Sequence, residues 1–295
     1  MALIGVNILL LGLVGYMEFA GLLAASLPEN NTSLWLVISV NFVLLEIITV
    51  ASLGRLLDSL ETTLFNLQTK QSEIVLTQEA TIETVASLAE YRDNETGNHI
   101  RRTQNYVRAL AVYLSDRPEH RDYLDEETIE LLYKSAPLHD IGKVGIPDQI
   151  LLKPGKLTGE EFEEMKKHAV YGRDALLKSA EKLGNNNFLE LAALIAYSHH
   201  EKWDGSGYPQ GLAGKNIPLA GRIMAVADVY DALISRRVYK QAMSHRQAIQ
   251  YISENRGTHF DPDIVDAVIC LQQQFLDIAD RFADSEDERR TLKAE

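Results

Sequence analysis

The chain has little cysteine and a shortage of positive charge. Cys270 is its single cysteine, which excludes a disulfide framework, and its apolar helical surroundings predict a small buried core residue. The 29 Lys and Arg residues against 42 Asp and Glu give a formal net charge of -13. This balance argues against a surface that coats nucleic acid, because such a surface needs clustered basic side chains. A phosphate-bearing ligand would therefore have to be bound by metal ions and a few local cations.

Strand patterns are also scarce. Beyond Val85 no run of alternating apolar and polar residues is long enough to predict a strand. Two helix starts are explicit: Thr158 with Glu161 three residues later is a capping box, and Asp261 before Pro262 is an N-cap with proline at the first helical position. The fold class is therefore predicted to be all-α. Helices are expected near Ile100 to Ser115, Glu126 to Pro137, Gly159 to Tyr171, Arg173 to Leu183, Phe188 to Glu201, Gly221 to Ser235, His245 to Asn255 and Pro262 to Phe275.

Residues 1–54 contain two long apolar runs. Met1 to Leu27 and Leu34 to Gly54 are each long enough to cross a hydrocarbon layer, which takes about 20 helical residues. They predict a membrane hairpin of two transmembrane helices. A cleaved signal peptide fits less well, because the first run lacks a basic start and exceeds the usual apolar segment of about 7–15 residues. Arg55, the first basic residue, follows the second run, so the positive-inside bias places both termini in the cytoplasm.

The next segment, residues 55–90, is predicted to be a helical stalk. It contains no proline or glycine, and its apolar positions alternate by four and three, as in a coiled coil. The hypothesis is a parallel dimer that carries signals from the membrane to the cytoplasm. The alternative is a long amphipathic helix that lies on its own domain. The seam consists of Leu53, Leu57, Leu60, Leu64, Leu67, Gln71, Ile74, Gln78, Thr81, Val85 and Leu88.

Candidate metal ligands occur on several separate predicted helices. They are Glu95, His99, His139, Asp140, His168, His199, His200 and Asp228. Each one alone has an ordinary alternative: a surface imidazole, a helix cap, a fortuitous doublet or a paired carboxylate. Together they include five of the chain's eight histidines, and helical bundles build metal centres from side chains on facing helices. His139 and Asp140 stand at the end of an apolar helix, where imidazole nitrogen and carboxylate oxygen can converge on a borderline divalent ion.

Two signatures in this set resemble a known family. They are His139-Asp140 with Gly142-Lys143, and His199-His200-Glu201 followed by Asp204-Gly205-Ser206-Gly207-Tyr208-Pro209. Both closely resemble the HD-GYP domain of bacterial cyclic di-GMP phosphodiesterases, with a likeness from about Ile82 to Phe275. We assign this domain to residues 82–276, with a charged tail at 277–295. The resemblance implies an HD-superfamily helical bundle that hydrolyses cyclic di-GMP to pGpG or GMP, here attached to the bacterial inner membrane.

The resemblance also implies a metal set. The family usually holds two or three iron or manganese ions, and its metal positions match His99, His139, Asp140, His168, His199, His200 and Asp228. Members with a third metal carry a glutamate where Glu95 stands, so a trinuclear centre is permitted but not required.

Substrate contacts of the family match Tyr208, Arg237 and Lys240. Tyr208 offers a ring for guanine stacking as well as a hydroxyl, and Arg237 can clamp phosphate or guanine in a fork. The surrounding stretch departs from the family's usual sequence, because Arg236 stands in place of Asp and Val238 in place of Pro. This departure puts the shape of the loop in doubt.

Hydrolysis of a phosphodiester requires metal ligands and local cations of this kind. Its negative charge shields the phosphorus from hydroxide, and two cations about 3.5–4 Å apart activate a bridging water and neutralise the oxygens of an in-line displacement. Asp140 is the expected bridge, since a carboxylate offers two oxygens. Lys143 is expected to stabilise the non-bridging oxygens or to protonate the leaving group. Mixed imidazole and carboxylate ligation suits iron, manganese or zinc better than magnesium.

Two other functions remain open at this stage. The same fold could bind the dinucleotide without cutting it, as a sensor or an interaction platform. It could also be another phosphohydrolase of the HD superfamily, acting on nucleoside phosphates or a different cyclic dinucleotide. The intact ligand set disfavours the first alternative, and the Gly207-Tyr208-Pro209 segment disfavours the second.

Overall fold

The computed structural model describes residues 12–13, 15–16, 32–92, 97–184, 187–236 and 241–294. In these ranges the regular secondary structure is helical, and strand-like pairing is limited to two isolated bridges, Asp204 with Ala213 and Arg256 with Phe260. The prediction of an all-α fold is confirmed for this part of the chain.

The helices of the described residues follow one another with short connections. They are α1 (Thr32–Arg92), α2 (Gly97–Ser115), α3 (Glu126–Ser135), α4 (Asp148–Leu151), α5 (Gly159–Met165), α6 (Lys167–Leu183), α7 (Asn187–Ser198), α8 (Leu219–Ile234), α9 (His245–Glu254), α10 (Pro262–Cys270), α11 (Gln272–Arg281) and α12 (Glu286–Leu292). Three 3-10 turns lie between them, at Ala136–Leu138, Ile141–Gly145 and Gly214–Asn216. The two capping boxes of the bundle start α5 at Thr158 and α9 at Ser244.

The chain divides into two compact units, Met1–Leu76 and Thr77–Glu295. In the first unit the described structure is mainly the start of α1. Among the described helices, α1 is the one long and apolar enough to cross a membrane, and none of its most apolar window is buried by other parts of the structure. The first predicted span, Met1 to Leu27, lies almost wholly outside the described residues. The hairpin of two spans therefore stays a prediction.

The helix α1 runs without a break through the predicted stalk. The leucines of the seam, from Leu53 to Leu67, are exposed. Where α1 belongs to the second unit, Ala86 and Ala89 are buried, whereas the seam residues Val85 and Leu88 are exposed. The face of α1 that packs in this unit is therefore not the seam. The coiled-coil stalk and its alternative, an amphipathic helix on its own domain, both stay predictions.

The second unit is a helical bundle whose core is centred on α8. Twelve of the sixteen residues of α8 are buried, and nine of these pack in one apolar cluster with aliphatic and aromatic side chains of α2, α10 and α11. Tyr106 of α2 stacks on Phe275 of α11 with 4.6 Å between the ring centroids. A smaller cluster joins α1, α2, α6 and α7 around Ile100 and Leu176. The two clusters hold α2, α6, α7 and α8 in fixed positions, and these helices carry most of the candidate ligands.

Two local predictions are wrong. The boundary expected between Tyr171 and Arg173 does not exist, because α6 continues through Gly172 and the break lies at Lys166. A side chain at Gly172 would lie 3.3 Å from the backbone nitrogen of Gly142, so this glycine permits a close approach of backbones rather than ending a helix. Cys270 is exposed rather than buried, because it lies at the last turn of α10, away from the face that packs in the core.

Candidate metal centre

Seven of the eight predicted metal ligands lie within the described residues, and they form two groups. The first group is Asp140, His168, His199 and His200, and the second is His99, His139 and Asp228. Within each group the candidate ligand atoms all lie within 4.8 Å of one another. Five of the seven side chains are buried, while His200 and Asp228 are partly exposed. Side chains from α2, α6 and α8 and from the turns after α3 and α7 therefore converge at one place in the bundle.

Three of the imidazoles are oriented in the same way. In His139, His168 and His199, Nδ1 lies 2.7–3.1 Å from a backbone carbonyl oxygen three or four residues earlier. Because a carbonyl only accepts, Nδ1 must carry the proton, which leaves the lone pair of the neutral ring on Nε2. Such a hydrogen bond fixes both the tautomer and the ring orientation of a metal-binding histidine.

Four of the atoms that would bind metal make no hydrogen bond. Nε2 of His139, His168 and His199 and Oδ1 of Asp140 are buried without a hydrogen-bond partner. Oδ1 of Asp140 lies 3.3 Å from Nε2 of His168 and 3.4 Å from Nε2 of His199. Two ligands bonded to one metal ion at about 2.0–2.2 Å are separated by about 3–3.5 Å. Buried polar atoms without partners are costly, and cations held by the two groups would satisfy all four, so these residues fit metal ions.

Asp140 faces both groups. Its Oδ1 is directed at the histidines of the first group, whereas its Oδ2 lies 3.5 Å from Nε2 of His139 in the second group. Lys143 donates a hydrogen bond of 2.6 Å to the same Oδ2. Burial raises the pKa of the Asp140 carboxyl, but the charge of Lys143 and smaller effects of the neighbouring histidines lower it more, so the pKa lies well below its usual range. Asp140 is therefore ionised and has the geometry of a bridging carboxylate.

Burial keeps two histidines neutral. It lowers the pKa of His139 to about 4, against the opposing effect of Asp140 and Asp228. Burial also lowers the pKa of His200 well below its usual value, and the neighbouring His199 acts in the same direction. A neutral imidazole is the form that binds metal. Asp228 completes the second group, with Oδ1 at 3.8 Å from Nε2 of both His99 and His139.

Four residues behind or beside these ligands were not assigned a role from the sequence. His99 Nδ1 lies 2.8 Å from Oδ2 of Asp231. The Asp231 carboxylate also accepts two hydrogen bonds from Arg102, one of 2.6 Å at Oδ1 and one of 2.9 Å at Oδ2. Burial raises the pKa of Asp231, but Arg102 and His99 lower it more and hold the carboxyl ionised. Glu90 on α1 is buried, with Oε1 at 3.6 Å from Nε2 of His99. These residues fix His99 and add negative charge beside it.

Tyr208 borders the first group from a loop between α7 and α8. Its ring centroid lies 4.7 Å from that of His200, with the planes tilted by 31°. The buried carboxylate of Glu201 holds the loop by accepting hydrogen bonds of 2.7 and 2.9 Å from the backbone N–H groups of Gln210 and Leu212. A side chain at Gly207 would lie 2.3 Å from the backbone nitrogen of residue 202. The loop therefore requires glycine there, and Glu201 is the fourth residue whose role the sequence did not indicate.

Two side chains at the end of α5 extend the surface beside Tyr208. The exposed ring of Phe162 makes an edge contact with Tyr208 at a centroid distance of 6.0 Å. The ammonium group of Lys166 lies 5.0 Å from the ring centroid of Phe162 and 5.7 Å from that of Tyr208. An aromatic surface with a cation above it suits a planar base joined to a phosphate.

Three predicted site residues lie outside the described residues. They are Glu95, Arg237 and Lys240. Their assignment as a third-metal ligand and as substrate contacts stays a prediction.

The comparisons with known proteins agree with this geometry. A family profile described as an HD domain matches residues 83–264. A cyclic di-GMP phosphodiesterase of Vibrio cholerae is 54% identical over 232 residues, which cover 79% of this chain and 46% of that protein. A cyclic di-GMP phosphodiesterase of Thermotoga maritima is 42% identical over 205 residues, which cover 70% of this chain and 52% of that protein.

A third relative has a different printed specificity. The 3'3'-cGAMP-specific phosphodiesterase 2 of Vibrio cholerae is 41% identical over 194 residues, which cover 66% of this chain and 35% of that protein. The chain thus spans between about a third and a half of the length of these three relatives. The residues matched by the family profile are those of the bundle that contains the two ligand groups.

Proposed function

The chain belongs to the HD domain family, and from this premise we propose that it is a metal-dependent phosphodiesterase of the HD-GYP type that hydrolyses cyclic di-GMP. The observation that carries the proposal is the convergence of seven buried or half-buried histidine and aspartate side chains on one place in the bundle. The similarity to relatives that are phosphodiesterases of cyclic dinucleotides, at 41–54% identity, also supports it.

The metal ions would be held by the two groups of ligands. Asp140, His168, His199 and His200 would hold one ion, and His99, His139 and Asp228 would hold a second. The Asp140 carboxylate contacts histidines of both groups. We propose iron or manganese, since both accept mixed imidazole and carboxylate ligands. Bound there, a pair of divalent ions would act as Lewis acids and would lower the pKa of a nearby water molecule towards neutral pH. A third ion at Glu95 belongs to the same proposal.

Substrate recognition is assigned to side chains around the centre. Tyr208 provides a ring against which a guanine base can stack. Lys143, which already pairs with Asp140, is close enough to the centre to neutralise a non-bridging phosphate oxygen. Arg237 and Lys240 are proposed to contact phosphate or guanine. With a net charge of -13, the protein relies on these local cations and on the bound ions to attract an anionic substrate.

The proposed reaction consumes one water for each phosphodiester bond that is cleaved. The water oxygen forms a bond to phosphorus, the bond from phosphorus to the ribose 3'-oxygen breaks, and that oxygen takes up a proton. One cleavage opens the cyclic dinucleotide to linear pGpG, and a second gives two molecules of GMP. Lys143 is the proposed side chain that stabilises negative charge on the phosphate oxygens or supplies the proton.

The test is turnover by anaerobically purified full-length protein in detergent micelles with Fe(II) or Mn(II). Cyclic di-GMP should be converted to pGpG or GMP, which anion-exchange chromatography separates.

A second candidate substrate is 3'3'-cGAMP, which the similarity to the cGAMP-specific relative favours. Preferential turnover of 3'3'-cGAMP would replace the proposed substrate. Binding of cyclic di-GMP without turnover would support the sensor, and turnover of other nucleotides alone would support a different phosphohydrolase.

The placement of the protein is part of the same proposal. We propose that residues 1–54 form a membrane hairpin, that the catalytic bundle lies in the cytoplasm of a bacterium and that α1 joins two copies along its seam. An apolar window in α1 that nothing in the described structure buries supports the membrane contact. The exposed leucines between Leu53 and Leu67 support the dimer, because a seam of this length is costly to leave in water. A monomer in sedimentation of the micelle-solubilised protein would contradict the dimer.

Signalling from the stalk to the centre would pass through Arg92, the last residue of α1. Its guanidinium donates hydrogen bonds of 2.6 Å to the carbonyl oxygen of Val144 and 3.3 Å to that of Ile146, and it pairs with Asp148 at 2.5 Å. The segment held in this way includes Lys143, which pairs with Asp140. Movement of the end of α1 would therefore shift the turn that positions both residues.

We expect Arg92→Ala to lower kcat about tenfold while metal content stays at the wild-type value. The substitution removes hydrogen bonds from a charged donor, worth about 1.5–3 kcal/mol, and each 1.4 kcal/mol corresponds to a factor of ten in rate. Arg101→Ala is the matched control, because it removes another arginine that joins α1 to α2 through the exposed pair with Glu83. Steady-state kinetics with metal analysis measures both. Equal kcat in the two variants would exclude Arg92 as the connection.

Glu201→Ala should raise the KM for the substrate about tenfold with little change in metal content. Two backbone N–H groups lose a charged acceptor, so the loop that holds Tyr208 over His200 loosens. Glu201→Gln should fall between Glu201→Ala and the wild type, since an amide oxygen can accept from one N–H but its NH2 group repels the other. An unchanged KM in Glu201→Ala would show that this anchor is not needed for substrate binding.

A further inference from the structure

A second place in the bundle brings metal-binding side chains together. Glu119 and His120, in the turns after α2, face Asp263 in the first turn of α10. One carboxylate oxygen from each acid and one ring nitrogen of the histidine lie within 4.8 Å of one another. None of the three residues belongs to the two ligand groups of the candidate metal centre.

His120 is the residue of this cluster that points most directly to a bound cation. His120 is 8% exposed, and its Nε2 is buried without a hydrogen-bond partner. The turn around it is fixed, because its N–H donates to the carbonyl of Arg117 and its own carbonyl accepts from Tyr123 and Leu124. A buried imidazole nitrogen without a partner is costly. A cation held with the two adjacent carboxylates would satisfy it.

The carboxylates are available for such a cation. Among the described residues, Glu119 and Asp263 make no ion pair within 4 Å. Two arginines lie near Asp263, but each has another partner: Arg117 donates to the hydroxyl of Tyr113 at 2.8 Å, and Arg256 forms a paired contact of 2.8 and 3.0 Å with Asp266. Both carboxylates are exposed, so small side-chain rotations can bring their oxygens to the spacing of about 3–4 Å that bonds of 2.0–2.2 Å to one ion require.

We propose that Glu119, His120 and Asp263 form a binding site for a divalent transition-metal ion, separate from the candidate metal centre. One imidazole nitrogen with two carboxylate oxygens suits zinc, manganese or iron, and three protein ligands leave a position for water. The ion ties the 117–124 turn to the start of α10. This site does not depend on the proposed phosphodiesterase activity, because its residues do not contact the candidate centre's ligands.

The test measures how many Zn²⁺ ions each chain of the full-length protein binds. Equilibrium dialysis over a range of free Zn²⁺ concentrations gives this number. Because the candidate metal centre also takes up zinc, the comparison is with E119Q/D263N, whose substitutions are isosteric and exposed. We expect this variant to bind one Zn²⁺ fewer per chain than the wild type. The matched control D122N/E126Q removes the same charge from exposed positions of the same stretch and should bind as much Zn²⁺ as the wild type.

Equal Zn²⁺ stoichiometry in E119Q/D263N and the wild type would overturn the site. So would an equal loss in D122N/E126Q, because the effect would then be one of surface charge alone. His120→Gln should reproduce the loss of one ion, and if this buried change prevents folding, the exposed double variant still decides. Turnover of cyclic di-GMP at saturating Mn(II) should be the same in E119Q/D263N as in the wild type, which separates this site from the candidate centre.

Discussion

Asp140→Ala should abolish turnover and remove metal from the protein. Asp140 directs one oxygen at His168 and His199 and the other at His139, so its loss takes a ligand from both groups at once. A Lewis-acidic centre lowers the barrier of phosphodiester hydrolysis by several kcal/mol. Because 1.4 kcal/mol corresponds to a factor of ten, kcat/KM should fall by about 10³-fold or more. Product chromatography and elemental analysis of the same preparation measure both effects.

Two further variants distinguish loss of metal from a general loss of structure. Asp174→Ala removes an exposed carboxylate from α6, the helix that carries His168, and should leave both activity and metal content unchanged. Asp140→Asn keeps the size of the side chain and one oxygen, so it should retain metal in only one of the two groups. Comparable metal content in Asp140→Ala and the wild type would refute the bridging role.

Tyr208→Phe should behave differently, because this change leaves every metal ligand in place. The ring that lies over His200 is retained, so the effect is limited to contacts of the hydroxyl with substrate. The expected result is weaker substrate binding at wild-type metal content, in contrast to the metal loss of Asp140→Ala.

The helices were predictable where local pattern decides them. A run without proline or glycine and with four-three spacing gave the continuous α1, and the N-cap at Asp261 gave the start of α10. The error at Gly172 has a tertiary cause. Glycine locally suggests a helix boundary, yet Gly172 lies inside α6, where it packs closely against the backbone of Gly142. The sequence pattern of one segment does not show which distant segment packs against it.

The same limit applies to the site. Histidine and aspartate were recognisable as ligands because their chemistry is particular, and seven of them meet in the bundle. Asp231, Arg102 and Glu201 were not assigned roles, since each matters through a partner or a loop distant in the fold. Arg102 and Asp231 are separated by 129 residues. A charged residue within the apolar run of α8 was the available signal, because a buried carboxylate needs a cationic partner.

Asp231→Ala should destabilise the bundle strongly. The carboxylate is fully buried and accepts two hydrogen bonds from Arg102, which is itself 2% exposed. Its removal leaves a guanidinium buried without its main counter-charge, and breaking a buried ion pair in this way costs about 3–5 kcal/mol. That loss is a large part of the stability of a typical domain. Urea denaturation of the purified protein, followed by circular dichroism, should show a clearly lower midpoint.

The exposed pair of Arg256 and Asp266 gives the matched control. It has the same paired geometry, with contacts of 3.0 and 2.8 Å, but both side chains are about half exposed, so water replaces the lost contact. Asp266→Ala should therefore change the midpoint little. Since Asp231 also holds Nδ1 of His99, Asp231→Asn should lower metal affinity while the fold is kept. If Asp231→Ala and Asp266→Ala have the same midpoint, the buried pair contributes nothing special to stability, and His99 is oriented by other contacts.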